Sequence, residues 1–72
     1  MKQSKDYQNA LSATRKELHE MEIGKGMWPA IQYANQMLRN LVQRDGFRED
    51  ATMQAQADAC EEFLTDHDAM AL

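Results

Sequence analysis

The chain has 72 residues, of which 43% are hydrophobic, with eight basic and twelve acidic side chains for a net charge of −4. A chain of this length makes one small domain that buries only about 60% of its unfolded surface, so a disulfide, a metal or a partner subunit is the usual supplement to its core. The lone Cys60 excludes a disulfide within the chain, no cysteine and histidine set has zinc spacing, and no run approaches the roughly 20 apolar residues that cross a bilayer, which leaves self-association or a binding partner.

The polar start, MKQSKDYQNALSATRKEL, lacks the apolar run of a signal peptide, and with one free thiol it points to a reducing cytoplasm. Helix formers dominate while Gly and Pro are scarce, which favours an all-α fold. Ser4 stands where a first helix wants its N-cap, with Asp6 in the first turn complementing the helix dipole. Tyr7, Leu11, Thr14, Leu18 and Met21 then recur at alternating spacings of four and three, with Ala10 beside them. That spacing predicts a narrow apolar seam on a helix over residues 5–23, with Gln8, Arg15, Lys16, Glu20 and Glu22 on its wet side. Gly24, Lys25 and Gly26 are expected to form the reversing turn.

Residues 27–42, MWPAIQYANQMLRNLV, hold the only Trp, the only Pro and the densest set of large apolar side chains. At a helical period Met27, Ile31, Ala34, Leu38 and Leu41 form one stripe, which Ala30, Met37 and Val42 widen. A stripe that broad needs a neighbour on each side. Pro29 suits the start of a second helix over residues 29–44, where its missing N–H costs nothing, and Trp28 precedes it as a staple onto the first turn. Asp45 and Gly46 close that helix, and Phe47 supplies the apolar contact of a C-terminal cap. The outer face, Gln32, Asn35, Gln36, Arg39, Asn40 and Gln43, is rich in amides and nearly uncharged.

A third helix is expected over residues 50–66, capped by Asp50. Its stripe is Met53, Ala57, Cys60 and Leu64, flanked by Phe63 and reaching toward His67, while Ala51, Ala55 and Ala59 permit close helix approach. Met70, beyond it, is read with the core methionines. Three helices joined by short turns predict one domain, a small antiparallel up-down-up three-helix bundle. The alternative is a hairpin of the second and third helices with an extended first helix in an intertwined dimer.

Charge is divided along the chain. Residues 1–48 carry eight basic and five acidic side chains, whereas residues 49–72 carry seven acidic and none basic. In one reading Arg39, Arg44 and Arg48 pair with the carboxylates of the third helix, each exposed pair being worth under about 1 kcal/mol. In the other, Asp58, Glu61, Glu62 and Asp66 dock on a basic surface of a partner protein, or imitate a phosphate row as a nucleic-acid mimic. Direct nucleic-acid binding is not expected, because the third helix has no Lys or Arg to meet phosphates.

Trp28, Tyr33 and Met37 are the candidate apolar anchors. Trp28 and Tyr33 are five positions apart, so at least one must leave the main stripe, and aromatic and methionine side chains are favoured at contacts. Gly24, Lys25 and Gly26, ahead of a helix N-terminus, form a candidate anion site, although they lack the length and the Ser or Thr of a P-loop. Cys60 and His67 share a face with Asp66 and Asp68 nearby, but a metal needs three or four converging ligands, so these are read as a buried thiol and a terminal histidine. His19 is read as solvated. No nucleophile and base are paired, and little room is expected for a pocket of about 300 Å³, so neither catalysis nor a cofactor is expected.

Together these features suit a small acidic helical interaction protein, with a dimer favoured, that binds a larger protein in the cytoplasm and inhibits or adapts it. Size and character fit the accessory and anti-defence proteins of phages and other mobile elements. The alternatives are a helical oligomer binding an anion or nucleotide at the turn from Gly24 to Pro29, a purely structural subunit, and the nucleic-acid mimic.

Overall fold

The computed structural model describes residues 4–68, and the expectation for Met70 lies outside them. Three helices, α1 (Lys5–Lys25), α2 (Met27–Val42) and α3 (Ala51–Asp66), each pack against the other two, with no strand among the described residues. Side-chain contacts fix their directions. Tyr7 meets Asp58, Arg15 meets Glu62 and Glu22 meets His67, so α1 and α3 run parallel. Tyr33 reaches back to Glu17, Met37 faces Cys60 and Leu41 shares a groove with Met53, so α2 runs against both. This is the up-down-up bundle, with α1 folded back on the same chain.

Two of the three helices, α1 and α3, start where the sequence places a side-chain cap. The Ser4 hydroxyl accepts from the Tyr7 N–H at 3.1 Å, and the Asp50 carboxylate accepts from the Met53 N–H at 3.0 Å. Both satisfy an amide that would otherwise lack an intrahelical partner. At the other end of α3, His67 donates its N–H to the Phe63 carbonyl, and Asp68 takes a left-handed φ of 53°.

The first turn differs from expectation. Gly24 and Lys25 continue α1, and Gly26 alone joins the two helices. Its N–H makes the last bond of α1, to Glu22 at 3.0 Å, and its carbonyl receives the first bond of α2, from Ala30 at 3.3 Å. Serving both helices needs a φ of 106° with ψ of 167°, a region open in practice only to glycine. Pro29 therefore occupies the third position of α2, not its first, still among the amides that have no acceptor. At the far end α2 stops at Val42, two residues before the expected Arg44, and residues 43–50 follow as turns that Phe47 pins to the core.

Leu18, Ile31, Ala34, Leu38, Leu41, Ala57, Cys60 and Leu64 form the buried cluster, and Tyr33, Met37, Phe47, Met53 and Phe63 pack around it. Ala55 and Ala59 are also buried, and alanines at these positions let α3 approach closely. Two members of the expected α2 stripe are not core: Met27 is 46% exposed and Val42 50%. Helix lengths explain Met27. With Met37 facing Cys60, Ile31 lies level with Asp66, where α3 ends, so the first turn of α2 projects past its neighbour.

Candidate functional site

The bundle presents two apolar surfaces and one acidic edge. At the α1–α2 junction Ile23 is 73% exposed and Trp28 67%, with Met27 between them in sequence. Ile23 was not singled out from the sequence, although it falls off the seam that runs through Leu18 and Met21. The second surface is a groove of about 540 Å³ between α2 and α3, with Tyr33, Met37, Leu41 and Met53 on its floor and Gln36, Asn40, Arg44 and Gln56 on its rim. Little room was expected for a space of about 300 Å³, and this open groove is larger than that. The proposed apolar trio is thus divided, with Tyr33 and Met37 in the groove and Trp28 outside its lining.

The Tyr33 hydroxyl at the groove and the Cys60 thiol beneath it both have partners. The Tyr33 hydroxyl donates to Glu17 at 2.6 Å, which with partial burial pushes its pKa up to about 12. The Cys60 thiol lies beneath, 3.4 Å from the Met37 sulfur, and desolvation pushes its pKa up to about 12. Such a thiol stays protonated and unreactive.

The acidic residues of α3 separate into two kinds. Asp58 accepts from the Tyr7 hydroxyl and from the Gln54 amide, and the hydrogen bond to Asp58 pushes the Tyr7 pKa up to about 12. Glu62 takes a two-pronged bond from Arg15, with both N–O distances 2.8 Å. Glu61 and Asp66 are exposed and make no ion pair among the described residues, although the charge of Asp66 contributes to the raised pKa of His67. The internal pairing expected from the sequence thus exists, but with α1: Arg39 and Arg44 make no ion pair among the described residues, and Arg48 lies over the Phe47 ring at 5.4 Å. Arg15 reaches Glu62 because α1 lies parallel to α3, a relation that depends on chain topology and not on local spacing.

His67 closes the lower end of that seam. Its Nδ1 lies 2.8 Å from the Phe63 carbonyl and its Nε2 2.8 Å from Glu22. Only the doubly protonated ring donates to both, and the hydrogen bond to Glu22, followed by that to Phe63, raises its pKa above 6.5. Cys60 and His67 therefore face different partners, Met37 and Glu22. His19 is exposed.

Gly24, Lys25 and Gly26 do not form the loop that an anion cradle was expected to use. The first two are helical, the N–H of Gly26 is bonded to Glu22, and Pro29 removes one donor from the α2 N-terminus. No helix of the described residues is long and apolar enough to cross a membrane. Compared with family models, with curated proteins and with solved structures, the chain matches none.

Proposed function

We propose that this chain is an interaction protein that docks on a larger protein through its α1–α2 junction and inhibits or adapts it. The carrying observation is the exposure of Ile23, Met27 and Trp28, at 73%, 46% and 67%, within six positions of one bundle end. Exposed single apolar residues are ordinary, but a Trp beside two large aliphatic side chains is the composition of a contact centre. Glu61 and Asp66, which make no ion pair among the described residues, supply the orienting charge toward a basic partner surface, whereas Asp58 and Glu62 serve the fold. Work in the cytoplasm and formation of a homodimer belong to the same reading, since a core this small gains from a second surface and the free thiol of Cys60 suits a reducing compartment.

The test compares wild type with Trp28→Ala in capture of partners from a cell extract and in mass by light scattering. Because Trp28 is exposed, the variant is expected to keep its circular dichroism and thermal midpoint while losing the captured protein. Retention of the same partner by Trp28→Ala rules out docking at this end. Glu61→Lys combined with Asp66→Lys is expected to slow association and weaken its salt dependence.

A further inference from the structure

The groove between α2 and α3 is separate from the α1–α2 junction. On the neighbouring grooves carboxylates and cations stand together: Glu22, Glu62 and Asp66 line the α1–α3 groove with Arg15 and His67, and Asp58 and Glu61 line the other flank of α2 with Arg39 and Arg48. The Tyr33–Met37–Met53 groove has no carboxylate in its lining, and its one charge is the cation of Arg44. In a chain of net charge −4 that lining carries a single positive charge, and Glu17 meets it at the Tyr33 hydroxyl, eleven positions along the chain from Arg44. Arg44 has no ion-pair partner among the described residues, so its charge is available to a ligand.

We propose that this groove seats an amphipathic helix of a partner protein, with apolar side chains on Met37, Leu41 and Met53 and a carboxylate on Arg44. Shape favours a helix. Two antiparallel helices leave a furrow that a further helix fills by packing ridges into grooves, completing a four-helix arrangement, and the described residues offer no sheet edge for a strand. From Tyr33 to Leu41 the furrow follows α2 for about 12 Å, a little over two helical turns, with Arg44 just beyond the end of the helix, which matches anchors at i, i+4 and i+7. Met37 and Met53 are unbranched and half-buried, and so adapt to the side chains laid over them. Gln36 and Asn40 on the rim, each both donor and acceptor, suit the polar flank of such a helix without demanding one sequence.

The experiment uses the whole chain with carbon-13 methionine methyls and two model peptides of about 14 residues, both with leucines along one helical face. One peptide has glutamates flanking the leucines and the other lysines. The acidic peptide is expected to shift the Met37 and Met53 methyls while leaving the Trp28 indole unmoved, and Arg44→Glu is expected to weaken it about tenfold. Arg44 is exposed, so that variant folds, which its circular dichroism verifies. Equal affinity of the two peptides, shifts confined to Trp28, or no binding by either peptide overturns the proposal. A light-scattering mass of two chains with the Met37 and Met53 methyls already protected also overturns it, because the occupant is then a second copy. Capture through Trp28 is read in the separate Trp28→Ala comparison, so failure of the groove is distinguishable from failure of docking at the junction.

Discussion

Nε2 of His67 lies 2.8 Å from Oε2 of Glu22, tying the last turn of α3 to α1 near its C-terminal end. The bond is strongest when the ring is charged, and the folded-state pKa of His67 is raised, first by Glu22 and then by the Phe63 carbonyl. A raised pKa adds stability that is complete below the unfolded value of 6.5 and is lost as pH rises through the folded value. Wild type is therefore expected to lead Glu22→Gln in urea midpoint at about pH 6, with the lead shrinking toward about pH 8. A lead that grows with pH would contradict the assigned contact.

Gly26 and Gly24 predict opposite outcomes for one substitution. Gly26 holds a φ of 106°, so Gly26→Ala is expected to cost about 1–3 kcal/mol even though its new methyl meets only the Pro29 ring at 3.8 Å. Gly24 is helical with open space around it, and Gly24→Ala is expected to stabilise by up to about 1 kcal/mol. Equal effects in thermal unfolding would place the turn across both glycines.

Leu64 and Val42 make the equivalent comparison for the core. Leu64 is 0% exposed, and Leu64→Ala is expected to cost about 2–5 kcal/mol. Since small domains are stable by only about 5–15 kcal/mol, that variant is expected to be partly unfolded at 37 °C. Val42 is 50% exposed at the last position of α2, and Val42→Ala is expected to change stability by under about 0.5 kcal/mol. A large loss at Val42 in denaturant titration would return it to the stripe.

Arg15 and Glu62 test how much the seam between α1 and α3 contributes. Their side chains are 50% and 47% exposed, so Arg15→Ala is expected to cost under about 1 kcal/mol despite the two-pronged geometry. A double-mutant cycle with Glu62→Ala measures the coupling directly, and a value above about 2 kcal/mol would mean that solvent screens this pair far less than its exposure implies.

The all-α fold was legible because each apolar seam keeps a helical period and α1 and α3 have short polar caps, Ser4 and Asp50, just ahead of them, whereas α2 follows Gly26 with no side-chain cap. Thr14 and Cys60 were placed correctly by period alone, both being buried. The ends of α2 were less legible. Sequence period says that Met27 and Val42 lie on the stripe, but burial depends on whether a neighbour is still present at that height, and α3 ends too soon for Met27. Pro29 and two glycines likewise suggested a longer turn, whereas one backbone conformation at Gly26 suffices. Of the candidate contact residues, the five-residue spacing of Trp28 and Tyr33 required at least one to leave the stripe, and Trp28 is the one left exposed. The partners of Asp58 and Glu62 did not follow from spacing, since Tyr7 and Arg15 lie 51 and 47 positions away and meet them only once α1 and α3 are parallel.

Cys60 gives the chain a reporter of its own opening. Its sulfur is sealed under Met37, and its proton is held to about pH 12, so an alkylating reagent added near neutrality finds no thiolate until the helices part. With one cysteine in 72 residues, every modified molecule has opened at the same place. The rate of modification then counts excursions from the native state without any label being introduced.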